Sequence, residues 1–163
     1  MKKVYLIRHA KSSWEEPWSN DHDRPLAPRG LRDAPKMGKR LKSEGICPDK
    51  IISSTALRAE ETANLIAEEI KFPVKKIEFE KGLYHASADT YLQFIQRQDD
   101  KTDCIFLIGH NPGMNDLIHY LGIELDNLPT AGICGFQSKE KSWKDFKPEN
   151  VKLIYLDYPK KKD

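Results

Sequence analysis

Apolar residues along this chain fall into two patterns. In the first they run together over short stretches: VYLI (4–7), KIIS (50–53), CIFLI (104–108) and VKLIYL (151–156). The first and third runs are nearly continuous, the pattern of strands buried on both faces of a sheet. KKIEF (75–79) predicts a weaker strand at a sheet edge, and ICGFQ (133–137) a further extended segment. In the second pattern apolar residues step by three and four. Ala56, Ala59, Ala63, Ile66 and Ile70 predict a helix over about 56–70, and Met114, Leu117, Ile118 and Leu121 one over about 113–121, with Gly122 as its stop. Ala88, Tyr91, Leu92 and Ile95 predict a third, with Asp89 in the first turn where a carboxylate suits the helix dipole. Leu31, Ala34, Gly38 and Leu41 predict a fourth, in which Pro35 is tolerable only within the first turn. Strands alternating with helices imply an α/β fold, a three-layer sandwich whose mostly parallel central sheet is flanked by helices. Residues 11–30, rich in Trp, Pro, Ser and charge, predict a long loop, and loops of that length are usually functional.

The residues that follow the apolar runs change the picture. VYLI leads into Arg8-His9, KIIS into Ser54-Thr55-Ala56-Leu57-Arg58, and CIFLI into Gly109-His110-Asn111-Pro112-Gly113. In an open α/β sheet, ligands bind outside the carboxyl ends of the strands. Three separate segments therefore deliver Arg8, His9, Arg58 and His110 to one end of one sheet. Two guanidiniums and two imidazoles would repel one another if their task were packing, but they suit an anion. Arginine recognises phosphate through paired N–H groups. The helix start at Pro112-Gly113 is expected to add backbone N–H donors. A lone histidine or arginine at a strand end is usually a surface residue, and His119 keeps that reading. Convergence of four such residues is what points to a site.

Composition narrows the alternatives. The 163 residues suit one domain, 1–163, with a core that needs no staples. Charged residues make up 32% against 39% hydrophobic, which indicates a globular chain. A net charge of +2 is too balanced for a nucleic-acid binder, and the Lys160–Lys162 run suits a solvated end. Cys47, Cys104 and Cys134 show no metal-binding spacing, and Cys104, inside an apolar run, is expected to be a small core residue. The apolar stretch behind Met1 is too short for a signal-peptide core, and no later segment approaches a membrane span. The expectation is a cytoplasmic protein in a reducing compartment, with no membrane or nucleic-acid partner.

LIRHAKSSW resembles the RH signature of the histidine phosphatase superfamily, whose fold is phosphoglycerate mutase-like. SSTALRAEETA resembles its second-arginine segment and IGHNPG its second-histidine segment, all in family order over residues 4–113. DRPLAPRG (23–30) and LYHAS (83–87) resemble the small phosphohistidine phosphatase branch, which lacks a large lid insertion. The resemblance implies that His9 is a nucleophile transiently phosphorylated during turnover. It implies that Arg8, Arg58 and His110 bind the transferred phosphoryl group, and that neither cofactor nor metal is needed.

Those residues suit the chemistry. Phosphoryl transfer needs positioning and charge stabilisation on the phosphoryl oxygens. His9 must attack as neutral imidazole, which neighbouring cations favour, while its other ring nitrogen donates to a carbonyl. His110 is expected to be protonated once the dianion binds. Ser12, Ser13 and Arg24 in the long loop are further substrate-binding candidates, and His85 is a rim candidate. Trp14 and Trp18 are read as packing the loop onto the domain. Glu80 is the candidate general acid, with a solvated loop carboxylate as the equal alternative. Phosphohistidine needs such an acid least, because imidazole leaves as a modest base with a pKa of about 6.5. The expected substrate is phosphohistidine on a protein. The alternatives are a small phosphorylated metabolite, a phosphate-binding module without turnover, and, least favoured, a mutase.

Overall fold

The computed structural model describes residues 1–15 and 20–161. Every apolar run of the sequence becomes a strand: β1 (Lys2–Arg8), β2 (Lys50–Ser54), β3 (Glu78–Glu80), β4 (Cys104–Gly109), β5 (Ile133–Ser138) and β6 (Val151–Asp157). They form one mixed sheet in the order β3-β2-β4-β1-β5-β6. The four strands from β3 to β1 are parallel, and β5 and β6 add two antiparallel pairings. β1 and β4 are central and buried on both faces, as their continuous apolar sequences require. β3, the weakest run, is a three-residue edge strand.

Four helices flank the sheet among the described residues: α1 (Pro28–Ser43), α2 (Leu57–Ile70), α3 (Ala88–Gln96) and α4 (Gly113–Tyr120). Side chains alternate across each strand, so β1 divides its apolar residues between two cores. Tyr5 and Ile7 join Met37 and Leu41 of α1 and Ala63 and Ile66 of α2. Val4 and Leu6 join Tyr91 and Ile95 of α3 and Leu117 and Ile118 of α4 on the other face. Ser87 caps α3 by accepting from the Thr90 N–H, and Gly122 takes a positive φ of 99° just past α4.

Three details depart from the sequence reading. Pro35 lies in the middle of α1, not in its first turn. The helix starts at Pro28, where a missing N–H costs nothing because that position has no intrahelical partner. Pro35 leaves the Leu31 carbonyl without its usual donor, and Leu31 is on the exposed face where water can replace it. The long loop ends at Ala27, and its described residues include a bridge between Ser12 and Leu26 and a short 3-10 turn at Asp21–Asp23. Cys134 is the fully buried thiol, whereas Cys104 is only partly covered. Trp18 and Lys162 lie outside the described residues. No described helix is long and apolar enough to cross a membrane.

Candidate active site

Parallel register brings the ends of three strands together. Ile7 pairs with Ile108, Arg8 with Gly109, and Ser53 with Ile108. Chain leaving β1 goes to α1 on one face, and chain leaving the adjacent β4 goes to α4 on the other. A crevice opens where neighbouring strands diverge in this way. His9 and His110 stand on its two sides with ring centroids 5.1 Å apart. Arg58, at the start of α2, and Arg24, from the long loop, close the pocket, an open hollow of about 440 Å³.

Each central residue is fixed by identifiable contacts. The His9 backbone N–H donates to the Gly109 carbonyl, and its ring Nδ1 lies 2.8 Å from the Ala10 carbonyl. A carbonyl only accepts, so Nδ1 carries the proton and Nε2 keeps its lone pair. Burial above all pushes the His9 pKa down to about 3, opposed by the hydrogen bond to the Ala10 carbonyl and assisted by the charges of Arg58, Arg8 and Arg24. The imidazole is thus neutral at physiological pH. Burial and the neighbouring His9 and Arg58 also lower His110 to about 3, so it is neutral in the free site. His110 Nε2 is 2.8 Å from the Ser54 Oγ, and Nδ1 is buried without a partner among the described residues. Arg8 donates through Nη1 to the Leu128 carbonyl. The Nε groups of Arg8, Arg24 and Arg58 are likewise buried and unpaired among the described residues. Buried donors seldom go unpaired, and here they are concentrated around one hollow, an arrangement that suits an oxyanion.

Several residues that shape this site gave no signal in the sequence reading. Thr62 Oγ1 accepts the Ala10 N–H at 2.9 Å and donates to the Arg58 carbonyl at 2.7 Å, joining the segment that carries His9 to the helix that carries Arg58. Tyr91 Oη accepts the His110 N–H at 2.9 Å from across the core. That approach requires glycine at 109, because a Cβ there would overlap the Tyr91 ring. The largest omission is Asp21. Its carboxylate accepts from Arg24 Nη2 at 2.9 Å, Arg58 Nη2 at 3.2 Å and Tyr84 Oη at 2.5 Å, and its carbonyl accepts from Arg58 Nη1 at 2.8 Å. The Tyr84 hydrogen bond and the two arginines hold its pKa far below the usual carboxylate range, so Asp21 is an anion. Its only sequence signal was its place in a loop already expected to be functional.

The remaining candidates divide. Ser12 lines the pocket and its hydroxyl accepts from Arg24 Nη1. Arg24 stacks on the exposed Trp14 ring at 3.7 Å. His85 lines the rim with its ring 3.9 Å from that of Tyr84 and its backbone left-handed at φ 58°. Ser13 is not brought to the pocket. Its hydroxyl accepts the Glu15 N–H, and it faces a neighbouring hollow beside Leu31. Glu80 is also placed elsewhere. It pairs with Ser54 in the β3–β2 register, and its side chain lines a separate hollow with Phe94 and Arg97, on the α3 side of the sheet. The start of α4 offers fewer donors than expected, because the Met114 and Asn115 N–H groups are taken by the His110 carbonyl and the Asn111 side chain.

With this geometry in place, similarity to other proteins becomes informative. The model of the histidine phosphatase superfamily (branch 1) matches residues 4–91. An uncharacterized protein of Mycobacterium leprae is 30% identical over 167 residues, covering 94% of this chain and 100% of that protein. A crystal structure of SixA from Agrobacterium tumefaciens superposes with a TM-score of 0.82 at 28% identity, over 97% of this chain and 98% of that one. The protein histidine phosphatase SixA complexed with tungstate superposes with a TM-score of 0.81 at 19% identity, over 96% and 97%, a likeness of fold.

Proposed function

This chain belongs to the histidine phosphatase superfamily, and from that premise we propose that it hydrolyses phosphohistidine on a protein through a phosphoryl group carried transiently on His9. The observation that carries this reading is the pairing of a neutral, tautomer-locked His9 with a pocket carboxylate that cannot act as an acid. Among the described residues lining the pocket, Asp21 is the carboxylate, and its ion pairs keep it deprotonated. An alkoxide leaving group needs a proton donor, whereas imidazole leaves as a weak base with a pKa of about 6.5. SixA of Agrobacterium tumefaciens, 28% identical, supports the same substrate class.

In the first step the lone pair on His9 Nε2 attacks phosphorus. The substrate's ring enters protonated on its other nitrogen; the bond from phosphorus to its ring nitrogen breaks, the electron pair returns to that ring, and neutral imidazole leaves. Arg8, Arg24 and Arg58 hold the phosphoryl oxygens, and His110 adds a donor. In the second step water attacks phosphorus, the bond to Nε2 breaks, and inorganic phosphate leaves with a neutral His9 restored. Burial of Nδ1–H against Ala10 keeps Nε2 facing the phosphorus throughout. The pocket is wide and open, which suits a side chain presented on another protein.

The test is hydrolysis of a phosphohistidine peptide beside para-nitrophenyl phosphate, with wild type and His9→Ala. The expected result is phosphoramidate hydrolysis that disappears in the variant, with much slower ester turnover. Turnover of the ester alone would overturn the substrate class. Undiminished hydrolysis by the variant would overturn the nucleophile.

A further inference from the structure

Three guanidiniums converge on the pocket, and such a charge should retain the dianionic product. Asp21 is the one feature that opposes this, and it is firmly built in. Three side chains from separate segments grip its carboxylate: Arg24 in the loop, Arg58 on α2 and Tyr84 after the 81–83 turn. The Tyr84 ring is itself held edge-on by His22 at 4.8 Å, whose Nε2 is 2.9 Å from the Thr55 hydroxyl. The carboxylate therefore occupies N–H groups of Arg24 and Arg58, which line the same hollow as His9 and whose Nε groups have no partner among the described residues.

We infer that Asp21 is a resident counter-anion of this pocket: its carboxylate competes with the phosphoryl group for the N–H donors of Arg24 and Arg58, weakens the hold on product phosphate, and so speeds its release. This rests on the reading of the hollow as a phosphate pocket. A strut that merely positioned the arginines would have the opposite sign, because its removal would loosen phosphate. Where release limits turnover, a tighter product lowers kcat even when chemistry is intact.

The experiment is calorimetric titration of inorganic phosphate, and of tungstate, into wild type, Asp21→Asn, Asp21→Ala and Asp21→Glu. Asp21→Asn keeps an acceptor for the arginines and loses the charge. Asp21→Asn and Asp21→Ala are expected to bind phosphate at least about tenfold more tightly, equivalent to about 1.4 kcal/mol. The constant for product inhibition should fall with it, and Asp21→Glu should return towards wild type. Equal or weaker binding by Asp21→Asn overturns the inference. A measurement on unaltered protein guards against variants that fail to fold. In a crystal of wild type with tungstate, an oxyanion oxygen should replace the Asp21 carboxylate on Arg58 Nη2. A carboxylate still bridging both arginines beside bound tungstate overturns the inference. Phosphate binding is scored without turnover, so wild type that binds phosphate but leaves phosphohistidine intact refutes the proposed function and leaves the Asp21 result standing.

Discussion

Replacing Thr62 by valine tests whether the orientation of His9 depends on a hydrogen bond made from α2. Valine keeps the shape and removes the hydroxyl. The Arg58 carbonyl lies four residues before Thr62 in α2 and keeps its helical donor, so the group left unpaired is the buried Ala10 N–H. An orphaned buried donor costs about 1–3 kcal/mol. The extra buried methyl returns about 0.8 kcal/mol. The net loss is about 1 kcal/mol, or about 2–4 °C in Tm for a domain of this size. The effect on catalysis should be larger. The freed N–H belongs to Ala10, the residue whose carbonyl holds His9 Nδ1, so the ring loses its fixed orientation. Misplacement of a reacting group by about 1 Å can cost about a hundredfold in rate. Urea denaturation gives the stability term, and single-turnover phosphorylation of His9 followed by phosphorus NMR gives the rate. A Thr62→Ser variant, which keeps the hydroxyl, should recover most of both. If Thr62→Val matches wild type in stability and in rate of phosphoenzyme formation, the coupling between α2 and His9 is refuted.

Further outcomes follow from other contacts. Ser54→Ala removes the partner of His110 Nε2 and the acceptor of the Ala56 N–H, and should destabilise by about 1–3 kcal/mol while raising KM more than a surface variant does; urea denaturation and steady-state kinetics check it. Gly109→Ala forces a methyl into the Tyr91 ring and should cost about 1–3 kcal/mol with loss of activity, since Tyr91 also anchors the His110 peptide; thermal melting is sufficient to see it. Glu80→Gln should leave phosphohistidine and ester hydrolysis within about twofold of wild type, because it faces another hollow; a loss of ester turnover alone would restore it as an acid. Both site histidines titrate near pH 3 when folded and near the ordinary 6.5 when unfolded, so the unfolded chain binds more protons between these values. Their contribution to stability is complete above pH 6.5 and is lost as pH falls towards 3. Nitrogen NMR of His9 at pH 5 should still show a neutral ring protonated at Nδ1, and a titration midpoint near 6.5 would refute the burial argument.

Much of the architecture could be read from residue order. Continuous apolar runs identified β1 and β4 as central strands, and the weak run at 75–79 became the short edge strand β3. The three-to-four spacing located all four helices, because one buried face is a local property of the pattern. Boundaries were less legible where two signals competed, as at α1. There Pro28 starts the helix, and the chain tolerates Pro35 at mid-helix because the carbonyl it orphans is exposed. The residues with chemistry at strand ends were legible too. Arg8, His9, Arg58 and His110 each follow a strand whose direction and layer the sequence implies.

What sequence order alone could not supply was the partner of each group. Thr62 reaches Ala10 across 52 residues, Tyr91 reaches His110 through the gap left by Gly109, and Tyr84 grips Asp21 across 63 residues. Such contacts depend on where separate elements come to rest, and no local periodicity encodes them. The same holds for charge. Adjacent residues show only that Glu80 is acidic and near a motif, while strand register turns it towards α3. Asp21, unremarked in its loop, is carried by the fold between two arginines. Residue types and their order determined that Arg8, His9, Arg58 and His110 meet at the strand ends of one sheet. Tertiary packing decided which carboxylate shares that pocket and which groups hold its histidines in place, because burial and hydrogen-bond distance exist only once the layers have closed.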